Sequence, residues 1–242
     1  RKKVLNFIEI YVLNNCKFNF FVSNSMKIYY RKKYNFTKNN YLIMPCFNTD
    51  IIKKSFFYEN KYRKLNIAYV GGLSKWQCFD KVLDIYFEIE KKSKESKLLI
   101  LTYDQDNAKK IIKKKEIKNY EVNYVPNEKI NKKLQNIKYG FLLRKTNPIN
   151  YVSTPTKMST YLANGVIPIF TSAIGDFNNI FKDLKFKIRL NCPGNMESKK
   201  IANIILAHHN KEKIESNNIF IDYKEVFNGY YNKSKYINNI KK

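Results

Sequence analysis

The chain has 242 residues, more than one typical domain, which predicts one full domain plus part of another. Hydrophobic residues make up 44% and aromatics 15%, enough to bury a core and to exclude a disordered chain despite the abundance of Lys and Asn. The formal charge is +26, but Lys outnumbers Arg by 41 to 5 and is scattered through almost every segment. Nucleic-acid readers concentrate basic residues on one face beside a recognised motif. The dispersal therefore reads first as solvated surface, second as attraction to an anionic membrane surface, and last as nucleic-acid binding.

Residues 1–60 carry an apolar helical stretch (4–13), a strand-like FNFFV (18–22), a helix after Ser23, and YLIMP (41–45). This reads as the last strand–helix unit of a neighbouring α/β domain, with PCFNTD (45–50) starting a linker and the boundary in the charged stretch 58–64. Apolar runs then alternate with helical periodicity. LNIAYV (65–70), KLLILT (97–102), EVNYV (121–125), KYGFLL (138–143) and VIPIF (166–170) read as buried strands. Helices are expected from Phe79 to Glu90, over 107–115, through Ile130, Leu134 and Ile137, and over 155–164 with Gly165 as a left-handed cap. Further helices are expected over 195–210 and from Tyr223 to the C-terminus, the latter packing back on the neighbouring domain. The pattern predicts an α/β fold, a Rossmann-like parallel sheet with helices on both faces over 61–222. In such sheets ligands bind beyond the carboxyl ends of the strands.

The chain begins with Arg1, not Met, and reads as a fragment or processed product. Its apolar runs are far shorter than the roughly 20 residues of a membrane span. Cys16, Cys46, Cys78 and Cys192 have no close pair and no metal-ligand spacing, which fits free thiols in a reducing cytoplasm. His208 and His209 are adjacent, diverge on a helix, and read as a helix-face pair with no chemistry.

Two segments can carry chemistry. In YVGGLSKW (69–76) a strand ends in Gly71-Gly72 and turns through Ser74 toward a helix. Glycines let the backbone approach a ligand, helix-start amides suit phosphate, and Lys75 adds a full charge. Alone, the same turn is equally consistent with a structural role. In NYVSTPTKMSTYLANGVIPIFTSAIGD (150–176), Thr154 is expected to be an N-cap and Pro155 the first helical residue, making an anion site with Thr156 and Lys157. Two such helix starts facing one crevice would suit a diphosphate, neutralised by Lys75, Arg144 and Lys157. The competing reading is a well-capped structural helix with Lys157 in water.

The stretch P-T-K-x-x-x-Y-L-A-x-G-x-x-P-I followed by I-G-D resembles the donor-binding signature of family 4-like (group 1) GT-B glycosyltransferases, closest to the branch that makes surface polysaccharides. VSNSM (22–26) and MPCFNTD (44–50) resemble the stretches that close that family's N-terminal domain, and YVGGLSKWQCFD resembles its first C-domain strand and glycine turn. The likeness covers nearly the whole chain. It implies transfer of a sugar from a nucleotide-diphosphate donor to a glycan or lipid-linked acceptor, retaining and without metal or cofactor. The location implied is cytoplasmic, peripheral at the inner face of the membrane. The chain alone would bind nucleotide weakly and transfer almost nothing.

Residue by residue, the resemblance implies that Gly71 and Gly72 approach the donor phosphates and Lys75 faces the diphosphate. It has Thr102, Tyr103, Tyr124 and Val125 line the base pocket. Arg144 and Lys157, with the amides after Thr154, would hold the departing diphosphate. Where the family carries Glu before Y-L-A, this chain has Thr160, and near the family's earlier Glu it has Val152. Thr160 can hydrogen-bond but lacks a carboxylate's reach and charge. A second reading is thus a GT-B module that binds without turnover, and a third, from a different class, is a basic nucleic-acid-binding domain.

Overall fold

Buried positions in the strands come in unbroken runs, all four residues in one and all five in the next, which requires cover on both faces of a sheet. The computed structural model describes residues 2–191, 196–211 and 213–241. In chain order the elements are α1 (Lys2–Asn15), β1 (Asn19–Phe21), α2 (Asn24–Tyr34), β2 (Tyr41–Ile43), α3 (Lys53–Phe56) and β3 (Asn66–Val70). A 3-10 turn (Lys75–Gln77) leads to α4 (Phe79–Lys92), then β4 (Lys97–Leu101), α5 (Gln105–Lys113), β5 (Tyr120–Asn123), α6 (Asn127–Leu134) and β6 (Tyr139–Leu142). The remainder is α7 (Pro148–Val152), α8 (Thr156–Ala163), β7 (Ile167–Thr171), α9 (Phe177–Ile180), β8 (Ile188–Leu190), α10 (Ser198–Lys211), α11 (Ser216–Gly229) and α12 (Lys233–Lys241).

Six strands form one parallel sheet in the order β5-β4-β3-β6-β7-β8, and β1 pairs with β2 in a separate parallel pair. The chain moves one way from β3 through β4 to β5, then returns to β6 and moves the other way, so the switch point lies between β3 and β6. The five expected strands are present. The short β8, inside a Lys-rich run, and the short helices α3, α7 and α9 show too few residues to display a period, and sequence reading missed them. The C-terminal helix differs from expectation: α11 starts at Ser216, before Tyr223, and the chain breaks over 230–232 before α12. Gly165 takes φ 67 behind α8, as a left-handed cap should.

The main hydrophobic core includes Phe56 and Tyr62 from before β3 as well as Tyr223 and Tyr231 from the C-terminal helices. A second cluster of Leu13, Phe21 and Phe36 serves β1 and β2. Tyr231 and Tyr236 lie against Phe47, and Tyr223 against Phe56. His208 and His209 anchor α10: their Nδ1 atoms lie 2.9 Å from the Tyr139 hydroxyl and 2.8 Å from Lys138 Nζ. Burial, then the Lys138 charge, draws the His209 pKa down to about 4. Cys16, Cys46 and Cys78 are free thiols; Cys192, like the first expected residue of the helix over 195–210, lies outside the described residues. Among the described residues, no helix is long and apolar enough to cross a membrane.

Lys61 ties three helix ends together. Its buried ammonium donates to the carbonyls of Ser55 (3.1 Å), Leu134 (3.3 Å) and Asn164 (2.6 Å), at the ends of α3, α6 and α8. The carbonyls favour the charge and burial opposes it; burial wins and brings the pKa from 10.5 to about 7. Between those two values the unfolded chain binds the extra proton, so the fold gains stability as pH rises. Urea unfolding of the native protein should therefore show stability rising from pH 7 toward 9.5, by at most about 1 kcal/mol per pH unit relative to Lys61→Met. Parallel profiles for the two proteins would refute this.

Candidate functional site

The site begins where two strands part. β3 and β6 pair at Ile67–Tyr139, Ala68–Gly140 and Tyr69–Phe141 and then separate. The Tyr161 hydroxyl fills the gap: it accepts from Val70 N–H (3.3 Å) and donates to Phe141 O (3.1 Å). Its ring lies on Gly140, where a Cβ would come within 2.7 Å of it. Tyr161 is fully buried on α8, so this contact seats α8 over the switch point. The second residue of α8, Lys157, then reaches the glycine turn.

Gly71 follows β3, donates its N–H to Leu101 O (2.8 Å) and has φ 133, a conformation that favours glycine. A Cβ there would lie 2.5 Å from Lys157 Cε and Nζ, so the turn and the lysine head are in contact range. The Lys157 ammonium donates to Gln77 Oε1 and sits 4.6 Å from the centre of the Tyr69 ring. The Tyr69 hydroxyl in turn donates to Gly72 O (2.6 Å). Arg144 follows β6 and is buried, its backbone exchanging hydrogen bonds with the Thr171 hydroxyl at 3.1 Å each. Burial lowers its pKa. Lys157 is pushed well below its ordinary value by burial and then by the Arg144 charge. Among the described residues neither cation joins an ion pair. Two adjacent cations withdrawn from water without a carboxylate are costly, unless an anion from outside completes them.

Around them lie the other expected residues. Tyr103 and Tyr124, beyond β4 and β5, are exposed, and the Tyr103 ring would stand 3.8 Å from a Cβ on Gly72. Val125 is partly buried against the core, and the buried Thr102 accepts from Asp104 N–H at 3.3 Å. Gly71 with Lys157 and Gly72 with Tyr103 thus lie side by side at the strand ends, and the Arg144 charge acts on Lys157.

Several expected positions are used differently. Thr154 does not cap α8: its hydroxyl accepts from Cys46 N–H (3.0 Å), Pro155 occupies the cap position, and no side chain caps the helix. The linker backbone outcompetes the helix's own amides for that oxygen. Thr156 is exposed and its carbonyl accepts from Ser159 and Thr160. Thr160 is buried, its hydroxyl placed to donate its one proton to either Thr156 O (3.0 Å) or Asn48 Oδ1 (3.1 Å). The glycine turn does not run straight into a helix either. The 3-10 turn and Cys78, at φ 55, intervene before α4, and Lys75 is exposed and makes no described contact with the crevice. Gln77 stands there instead.

Sequence reasoning also missed Asp176, of the I-G-D motif. Its buried carboxylate accepts from Asn24 N–H (2.7 Å), Ser25 N–H (2.8 Å) and the Ser25 hydroxyl (2.6 Å), at the start of α2. Ser23 caps α2 through Met26 N–H (2.8 Å) and donates to Val152 O (2.6 Å). The VSNSM and I-G-D motifs, 150 residues apart in sequence, are therefore two sides of one hydrogen-bonded seam beside the crevice. The only signal for it is that both motifs are polar and adjoin strand ends. Among the described residues, no group of three or more His, Cys, Asp or Glu side chains could hold a metal ion.

No protein-family model matches the sequence, and no characterised protein matches it by sequence. Solved structures do match the fold. A TarM variant from S. aureus, solved with fondaparinux, alpha-GlcNAc-glycerol and UDP, has a TM-score of 0.72 at 13% identity, covering 94% of this chain and 44% of that one. The pneumococcal O-GlcNAc transferase GtfA, in complex with UDP and GlcNAc, gives 0.69 at 9% identity over 90% of this chain and 44% of its own. The C-terminal domain of the group 1 glycosyl transferase LpcC from Francisella tularensis gives 0.51 at 14% identity, covering 76% of this chain and 98% of that domain. The fold is that of GT-B glycosyltransferases, here the Rossmann-like sheet plus part of a second α/β unit. The chain spans about half the length of the first two proteins.

The bridge at the strand split is testable. Tyr161→Phe keeps the ring on Gly140 but leaves Val70 N–H and Phe141 O without it, and should lower unfolding free energy by about 1–3 kcal/mol. Unchanged stability in chemical denaturation would refute the bridge's role.

Proposed function

We propose that this chain is the nucleotide-sugar-binding half of a glycosyltransferase of surface polysaccharide synthesis. The donor diphosphate lies between the Gly71-Gly72 turn and the Arg144–Lys157 pair. The observation that carries this is a pair of cations without a carboxylate partner among the described residues, Lys157 lying against the Gly71 turn and Arg144 close enough for its charge to act on Lys157. A diphosphate supplies the missing negative charge, and it accumulates more as the sugar departs. The same pair would then stabilise the leaving group, with no metal needed for that electrostatic work. Tyr103 and Tyr124 offer exposed rings on the β4–β5 side, where a base can stack. UDP in the TarM and GtfA structures supports a nucleoside diphosphate as the ligand. Retention of anomeric configuration follows from the family resemblance, with catalysis resting mainly on stabilisation of the leaving diphosphate. The acceptor would be a glycan or lipid-linked saccharide, met at the inner face of the membrane, where scattered lysines favour an anionic surface.

A second reading, binding without turnover, is favoured by one observation: Thr160 stands where the family carries Glu, and its hydroxyl is already engaged by Asn48 or its own helix. Calorimetric titration of UDP, GDP and CMP separates the readings. A nucleoside diphosphate should bind, and Lys157→Ala or Arg144→Ala should each weaken it about 10- to 100-fold, as loss of a charge-assisted contact does. Binding with no sugar transfer by the full-length protein would favour the second reading. Absence of nucleotide binding together with strongly salt-dependent RNA binding would overturn both.

A further inference from the structure

Lys157 holds its place through one neutral residue. Gln77 ends the 3-10 turn, with its N–H donating to Ser74 O (2.8 Å), and the left-handed Cys78 behind it turns the chain into α4. An ammonium can only donate, so the Gln77 atom facing Lys157 Nζ is the oxygen. That same oxygen would lie 3.0 Å from a Cβ on Gly71 and is 3.4 Å from the Tyr69 hydroxyl. The amide nitrogen faces the other glycine, 3.5 Å from a Cβ on Gly72, and has no acceptor among the described residues. The side chain thus spans the whole glycine turn, oxygen to the lysine and nitrogen to the open side.

The choice of an amide has a consequence. A buried ammonium beside Arg144 needs an acceptor to stay in place. A carboxylate would supply one but cancel the charge that an anionic ligand requires, and would repel that ligand. An amide supplies the acceptor and leaves the charge intact. We propose that Gln77 is a positioning residue for diphosphate binding, holding the Lys157 ammonium over the Gly71-Gly72 turn without neutralising it. The inference rests on the diphosphate reading of the crevice, and the ligand class is a nucleoside diphosphate or free pyrophosphate.

A double-mutant cycle with inorganic pyrophosphate and UDP as calorimetric probes tests it. Gln77→Leu should weaken both probes about tenfold in the native background and by less than about twofold in a Lys157→Met background, because the residue acts through that lysine. Gln77→Glu, nearly isosteric and expected to keep or raise the native unfolding midpoint, should weaken both probes at least as much as Gln77→Leu. Gln77→Asn, shorter but still an amide, should bind more tightly than Gln77→Glu. A role in folding alone would shift the unfolding midpoint and leave no coupling to Lys157. If the native protein binds either probe and Gln77→Leu binds equally well, or the two substitutions are additive, the positioning role is wrong and the diphosphate site stands. If the native protein binds neither probe, the diphosphate reading falls and this inference with it.

Discussion

The structure depends on a tyrosine laid across the point where two parallel strands separate. Parallel strands must stop pairing somewhere, and the groups freed there need partners if they stay buried. Tyr161 supplies one donor and one acceptor at that split, and Gly140 leaves room for the ring. Because Tyr161 belongs to α8, the same contact fixes the axial position of that helix and hence the height of Lys157 above the sheet. Lys61 acts on the same last turn of α8, gathering the carbonyl of Asn164 with those of Ser55 and Leu134. The helix is pinned at its C-terminal end, and Lys157, one turn before Tyr161, reaches the glycine turn from that seat.

The net charge of +26 is far less informative than two of its members. Most lysines are solvated, and the ion pairs present are partly exposed surface contacts worth little each. Arg144 and Lys157 differ: Arg144 is buried, Lys157 is half-buried, and among the described residues neither has a carboxylate partner. A fold can tolerate that only while the remaining packing holds it, and such stored cost is characteristic of a site awaiting a ligand. The buried carboxylate of Asp176 is committed to the start of α2, which supplies three donors to it and joins the first unit to the sheet.

Much of this was legible in the residues. Strands buried on both faces show as apolar runs, and β3, β4, β6 and β7 were found that way; β5, expected to be buried, is a half-buried edge strand, and Gly165 marked the end of α8 by its freedom at positive φ. The lysine of P-T-K does reach the glycine turn after β3, and the arginine follows β6, as the rule that ligands bind beyond the carboxyl ends of strands led one to look for. Competition for hydrogen bonds was not legible. Thr154 has an ideal capping side chain, yet the Cys46 amide, 108 residues earlier, takes its oxygen. Lys75 carries charge in the right loop, but a three-residue helical turn aims Gln77 inward and Lys75 outward. Such outcomes depend on partners distant in sequence, and local patterns do not encode them.

The most direct measurement is a crystal structure of the protein soaked with a nucleoside diphosphate. The account predicts phosphate density between Gly71-Gly72 and the head groups of Arg144 and Lys157, with the base on the Tyr103–Tyr124 side. Density for the nucleotide elsewhere on the molecule, with both cations left unpaired beside an empty turn, would contradict it.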